Sequence, residues 1–200
     1  REFLMDGRVI DIPFINRWLL VNLIIAPFRS PKSAKIYKEL WTENGSPLKI
    51  YGEANEKQLQ HAMGGKYVVK LGMRYQNPSI EKGLLEFRKI GVKKIVVIPL
   101  FPQYASASTG SVYQEITRVL NTWQSIPELK IVNNFYHKDK FVQGFVNNAK
   151  KYLSQKTYDH ILFSYHGVPE RQVLKGDDDK DCCQLGSCCN KISSKNQFCY

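Results

Sequence analysis

Cysteine is absent from the first 181 residues, and all five cysteines then fall within eighteen residues: Cys182, Cys183, Cys188, Cys189 and Cys199. A secreted disulfide-rich domain usually spreads an even number of cysteines through a short chain. The distribution therefore argues against that class of protein. It favours a reducing compartment, together with either a local metal site or a simple cysteine-rich insertion.

Long apolar runs and a signal peptide are also lacking, and the chain starts at Arg1 without an initiator Met. The most apolar segment, residues 12–28, contains Arg17 and Asn22 and reaches Pro27, whereas a membrane span needs roughly 20 apolar residues. Between Trp18 and Ala26 nearly every helical face is apolar, which indicates a buried helix or a surface for a flat ligand or a membrane. We expect a cytoplasmic protein, with peripheral membrane contact left open.

Runs of five or six Lys and Arg residues and low-complexity tracts are missing too, although the formal net charge is +11. Such a charge suits acidic partners, but the scattered Lys and Arg residues favour a solvated basic surface over a nucleic-acid site. We therefore expect no nucleic-acid partner. Two hundred residues with 43% hydrophobic content can bury one core, or one domain and the start of another.

Helical and strand patterns alternate along the chain. Apolar periodicity and turn residues predict helices at 14–25, 31–42, 55–63, from 78, 111–123 and 141–155, and strands at 48–52, 66–71, 94–100, 129–133 and 160–164. This alternation predicts an α/β fold with a doubly wound, Rossmann-like parallel sheet. Ligands of such sheets bind beyond the carboxyl ends of the strands, where residues 101–111 and 165–171 lie.

Two segments at these strand ends carry residues suited to chemistry. His166 directly follows an apolar run, and a histidine there can accept protons, bind a metal or simply close a turn. The interpretation of Ser164 as the nucleophile of a serine hydrolase is weaker, because no G-x-S-x-G elbow surrounds it.

The loop 101–111 carries hydroxyl groups and leads into the start of a helix. Backbone N–H groups at such a start favour an anion site over a mere helix cap.

Five blocks of sequence, in order, resemble the ferrochelatase family. They are Phe3-Leu-Met-Asp6 with Ile10-Asp-Ile-Pro13, Asn44-Gly-Ser-Pro-Leu48, Met73-Arg-Tyr75, Phe101-Pro-Gln-Tyr104 with Thr109-Gly-Ser111, and Phe163-Ser-Tyr-His-Gly-Val-Pro169. The resemblance implies a chelatase-like fold and a lyase of haem biosynthesis that inserts Fe(II), its metal substrate, into protoporphyrin IX. It also implies an incomplete chain that lacks the first strand and the C-terminal part, and we expect this piece alone to be inactive.

The resemblance also implies roles for individual residues. His166 would accept the pyrrole protons and contact the metal, and Arg74, Tyr104 and Ser111 would bind the porphyrin propionates. The helix with Trp18, Leu19 and Leu20 would form one lip of the porphyrin cleft. A first Rossmann-like domain would cover 1–155, and a second would start at 156–200. The chain departs from the family pattern at Ala105 and at Gly176-Asp-Asp-Asp179.

The cysteines leave several alternatives open. Some ferrochelatases hold a [2Fe–2S] cluster, and four thiolates would suffice for a cluster or for zinc. Adjacent Cys-Cys pairs fit one metal poorly, so free thiols remain an alternative. For the function, the alternatives are a coproporphyrin ferrochelatase, another tetrapyrrole chelatase, and a non-enzymatic haem- or metal-binding protein on the same fold. The sequence does not indicate an oligomeric state.

Overall fold

The computed structural model describes residues 1–177 of the 200-residue chain. Eight α-helices and two β-strands occur in this part. In chain order they are α1 (Glu2–Met5), α2 (Phe14–Leu19), α3 (Ser30–Leu40), α4 (Pro47–Met63), α5 (Ile80–Lys89), β1 (Lys94–Val97), α6 (Ser111–Leu120), β2 (Glu128–Ile131), α7 (Asp139–Leu153) and α8 (Glu170–Lys175). Shorter helical turns lie at Gly64–Lys66 and Ser106–Gly110.

The two strands run parallel. The backbone N–H of Glu128 donates to the carbonyl of Lys93, and that of Val132 donates to the carbonyl of Val97, both at 2.9 Å. Both strands advance by four residues in the same direction between these bonds, which is the parallel arrangement. The sequence-based prediction of an α/β fold with a parallel sheet is therefore confirmed.

The chain forms two compact units. Unit 1 comprises Arg1–Lys94 and Ser111–Glu128, and unit 2 comprises Ile95–Gly110 and the described residues from Leu129 onward. The domain boundary that the sequence predicts after residue 155 stays a prediction.

The core of unit 1 lies where α5 packs on α6. Helix α5 begins where the Ser79 hydroxyl accepts a hydrogen bond from the Lys82 N–H at 3.1 Å, a standard N-cap that fixes the helix start. The apolar stripe predicted from residue 80 onward faces this core. The buried side chains of the core come from both helices and the turn after α6: Ile80, Leu84, Val112, Ile116, Val119, Leu120 and Trp123.

The predicted helices 14–25 and 31–42 are one longer helical stretch. Between α2 and α3 the backbone continues as a π-helix over Leu20–Arg29, which contains Pro27. Proline has no N–H to donate and crowds the carbonyl of the preceding turn, so an ordinary α-helix is disfavoured there. The wider π-turn, in which the Ser30 N–H donates to the Ile25 carbonyl, carries the chain past this residue.

Three predicted strands are wrong. Residues 48–52 belong to α4, because Pro47 occupies the first helical position, where its missing N–H has no cost. Residues 66–71 and 160–164 form no strand in the described part of the chain. In residues 66–71, the Gln60 side chain accepts from the Val69 N–H and donates to the Tyr67 carbonyl, taking the place of a neighbouring strand. In residues 160–164, Leu162 is 94% exposed, so this apolar run does not pack against other residues.

Candidate functional site

Arg74 lies in a loop of unit 1 that is closed by its own backbone. The Met73 N–H donates to the Pro78 carbonyl at 2.6 Å, and the Ile80 N–H donates back to the Met73 carbonyl at 3.3 Å. These two bonds tie the loop to the start of α5, and so they fix the backbone from which the Arg74 side chain extends.

The Arg74 guanidinium connects three parts of unit 1. Its Nη2 lies 2.6 Å from Asp6 Oδ2, and its Nε donates to the Ser111 carbonyl at 2.9 Å. Its Nη1 lies 3.9 Å from Glu115 Oε2. The Asp6 side chain is 5% exposed and that of Arg74 is 16% exposed, so the short ion pair is largely removed from water. Charge-assisted hydrogen bonds in such surroundings are stronger than neutral ones.

Tyr75 completes this group of side chains. Its hydroxyl donates to Asp6 Oδ2 at 2.9 Å, and the Arg74 guanidinium carbon lies 4.5 Å from the centre of its ring. Burial, together with the hydrogen bond to the Asp6 carboxylate and its charge, raises the pKa of Tyr75 to about 12, because each of these disfavours a phenolate. Arg74 and a hydrogen bond from the Ser111 side chain act in the opposite direction.

Asp6, Arg74, Tyr75 and Ser111 together are called the arginine cluster below. Ser111, the first residue of α6, is 1% exposed and therefore lies inside unit 1. Two sequence-predicted site residues, Arg74 and Ser111, are thus in direct contact. A guanidinium held at two of its edges is well suited to receive an anion at a third edge, since little freedom is lost on binding.

Tyr104 and His166 belong to unit 2. Tyr104 is half-buried in the loop after β1, where the Ala105 carbonyl accepts from the Ser108 and Gly110 N–H groups at 3.1 Å. Further along the same loop, the buried hydroxyl Oγ1 of Thr109 has no hydrogen-bond partner within the described chain. His166 is exposed on an extended segment that leads into α8. The strand predicted before it is absent, as described above, so its position at a strand end is not observed.

Trp18 and Leu19 lie on the α2 segment of unit 1, with exposed fractions of 46% and 43%. The π-helical continuation adds Leu23, Ile24 and Phe28, each more than half exposed. The sequence pattern left open whether this helix is buried or presents an apolar surface, and the structure shows the apolar surface. No helix among residues 1–177 has the length and hydropathy to cross a membrane.

Metal-binding side chains do not gather within residues 1–177, where no three His, Cys, Asp or Glu side chains come together. The sequence-predicted ligands of a cluster or zinc ion, Cys182, Cys183, Cys188, Cys189 and Cys199, lie outside the described residues. The prediction that His166 contacts a metal is likewise untested.

Comparison with known proteins identifies the family. The family model described as Ferrochelatase matches residues 1–198. The chain belongs to the ferrochelatase family. It is 44% identical over 200 residues to a protein named ferrochelatase from Legionella pneumophila (strain Corby), and 36% identical over 200 residues to one of the same name from Coxiella burnetii (strain Dugway 5J108-111). All of this chain is covered in both cases, but only 58% and 55% of those proteins. The chain thus spans somewhat more than half the length of these relatives.

Two residues of the arginine cluster were not among the sequence-predicted site residues of this ferrochelatase-family chain. Asp6 and Tyr75 each lie in a block that carries the family resemblance, but neither block alone says what its carboxylate or phenol contacts. Asp6 is 68 positions from Arg74 along the chain, so no local spacing rule links them. The presence of an acidic and a basic residue in separate family blocks is the one signal that could have suggested a pair.

Proposed function

We propose that the full-length protein containing this chain is a ferrochelatase that inserts Fe(II) into protoporphyrin IX to form protohaem. The observation that carries this proposal is the family match over residues 1–198. Because the chain spans only 58% of the Legionella relative, the activity is proposed for the full-length protein and not for the described part alone.

The reaction sets two demands on the protein. A free-base porphyrin must lose two N–H protons as Fe(II) sheds water and binds the four ring nitrogens; two protons are released and no electron is transferred. A base must therefore face the ring, and a second group must hold the ring while the protons leave. We assign His166 as the base, with contact to the incoming metal, because imidazole exchanges protons near neutral pH.

Arg74, Tyr104 and Ser111 are the proposed partners of the porphyrin propionates. The support for Arg74 is its arrangement: a guanidinium fixed by Asp6 and by the Ser111 carbonyl can meet a carboxylate with little loss of side-chain freedom. Ser111 is the least accessible of the three, at 1% exposed. Tyr104 is half-buried, and its hydroxyl is a suitable carboxylate donor.

The apolar surface at Trp18 and Leu19 is proposed as one lip of the porphyrin cleft. Its support is the exposure of these two large side chains, because a flat apolar macrocycle needs an apolar surface to lie on. The same surface would allow peripheral contact with a membrane that delivers the substrate. A cytoplasmic location stays a prediction from the sequence.

A [2Fe–2S] cluster bound by the cysteines between 182 and 199 is a further part of the proposal. The donor set supports it, since thiolates are the ligands that such clusters take. Zinc is the competing occupant of the same thiols. The proposed role of either group is to stiffen the cysteine-rich segment and not to take part in the reaction, because metal insertion needs no electron transfer.

Visible absorption of the purified full-length protein tests the proposed function. Protoporphyrin IX and coproporphyrin are titrated separately under anaerobic conditions, first alone and then with Fe(II). We expect the free-base bands of protoporphyrin to be replaced by those of haem. Turnover of coproporphyrin alone would change the substrate, and tight binding of haem or porphyrin without any insertion would indicate a binding protein instead of an enzyme.

A further inference from the structure

Asp6 is an almost fully buried carboxylate with every oxygen in use. Its side chain is 5% exposed. Oδ2 accepts from Arg74 Nη2 at 2.6 Å and from the Tyr75 hydroxyl at 2.9 Å, while Oδ1 accepts from the Arg8 backbone N–H at 2.8 Å. A buried charge is tolerated only when it is paired and hydrogen-bonded, and Asp6 meets that condition through these donors. The residue is therefore a fixed anchor.

Arg74 has another carboxylate nearby, but that one is engaged elsewhere. Glu115 lies 3.9 Å from Arg74 Nη1, whereas Arg118 donates to its two oxygens at 3.0 and 2.8 Å. The short ion pair of Arg74 is thus the one with Asp6. With Nη2 on Asp6 and Nε on the Ser111 carbonyl, two edges of the guanidinium are fixed. Of the three guanidinium nitrogens, Nη1 has the longest contact, at 3.9 Å from Glu115 Oε2.

We propose that Asp6 is a positioning residue for substrate binding. It holds the Arg74 guanidinium in one orientation, so that the Nη1 group is presented to a carboxylate of the tetrapyrrole. This inference rests on the proposed function, in which Arg74 binds a propionate. The physical reason is preorganisation: an arginine side chain has many rotamers, and a ligand that must select one of them binds more weakly.

The test compares two ligands on the full-length protein. Protoporphyrin IX carries two free carboxylates, and its dimethyl ester has the same ring without them. We expect Asp6→Asn, which removes the charge but keeps the shape, to weaken protoporphyrin binding about tenfold and ester binding less than twofold. The double variant Asp6→Asn/Arg74→Ala should bind protoporphyrin no more weakly than Arg74→Ala alone, because Asp6 acts through Arg74.

A matched control and a second variant accompany the test. Glu81→Gln removes a carboxylate of unit 1 that pairs with Arg118 at an exposed position, and it should leave both affinities unchanged. Tyr75→Phe removes one donor from Asp6 while keeping the ion pair, and it should give a smaller loss that is again selective for protoporphyrin. Binding of the ester shows in each case that the variant is folded, so Tyr75→Phe decides the matter should Asp6→Asn fail to fold.

Three results would overturn the positioning role. If Asp6→Asn weakened the binding of both ligands equally, Asp6 would have a purely structural role. If it bound protoporphyrin more tightly, Asp6 would compete with the substrate for Arg74. If Arg74→Ala kept the wild-type affinity for protoporphyrin, Arg74 would not bind the propionate and Asp6 would have no group to position. Failure of the proposed function is seen separately, as a wild-type protein that inserts no Fe(II).

Discussion

Replacing Arg74 by alanine should destabilise the protein well beyond the effect of an ordinary surface substitution. Asp6, 5% exposed, would lose its counter-charge and keep only the Tyr75 hydroxyl and the Arg8 N–H as donors. Breaking a fully buried ion pair costs about 3–5 kcal/mol. Because Arg74 is 16% exposed and two donors remain, we expect a loss of about 2–3 kcal/mol in the free energy of unfolding.

Urea unfolding of the full-length protein, followed by tryptophan fluorescence, measures this loss. Arg118→Ala is the matched control, since it also removes an arginine that contacts two carboxylates, Glu81 and Glu115. Arg118 is 54% exposed, so its removal should cost no more than about 1 kcal/mol. The reasoning would be refuted if the two variants lost equal stability, because burial would then not determine the strength of the Arg74 pair.

Two further predictions concern Tyr75 and the cysteines. The pKa of Tyr75 is raised to about 12 from 10.0, so folding favours the neutral phenol; the stability this provides is complete below pH 10 and is lost as the pH rises towards 12. Tyr75→Phe should therefore flatten the decline in stability between pH 10 and 12, and an unchanged decline would contradict the assignment. Anaerobically purified full-length protein should be reddish-brown, contain iron and acid-labile sulfide, and bleach when Cys182 and Cys183 are both replaced. Colourless, zinc-free protein with five titratable thiols would rule out the metal site.

The helical part of unit 1 could be predicted because its signals are local. Ile80 and Leu84 are one turn apart, so the apolar periodicity predicted a helix from 78, two residues before the observed start of α5. The strands were harder to predict. The apolar run at 94–100 forms β1 over Lys94–Val97, whereas the similar run at 160–164 forms none in the described chain. A strand depends on a partner that a single segment does not reveal, so an apolar run alone cannot distinguish the two cases.

The site was predictable in its residue types and less so in its contacts. The family blocks pointed to Arg74 and Ser111, which do lie together. They gave no indication that Asp6 already occupies one edge of the guanidinium, because that contact joins residues 68 positions apart and depends on the fold. Tyr104 and His166 lie in the other unit, and their part in the site stays a prediction.

Iron insertion by the full-length protein, with and without His166, tests the central claim most directly. The rate of haem formation from protoporphyrin IX and Fe(II) is measured for the wild type and for His166→Ala, with porphyrin affinity determined alongside. Because a general base typically contributes ~10²–10⁴-fold, the variant should lose at least 99% of the activity while its affinity for porphyrin is largely retained. A wild type that forms no haem, or a variant that keeps more than about a tenth of the activity, would contradict the account.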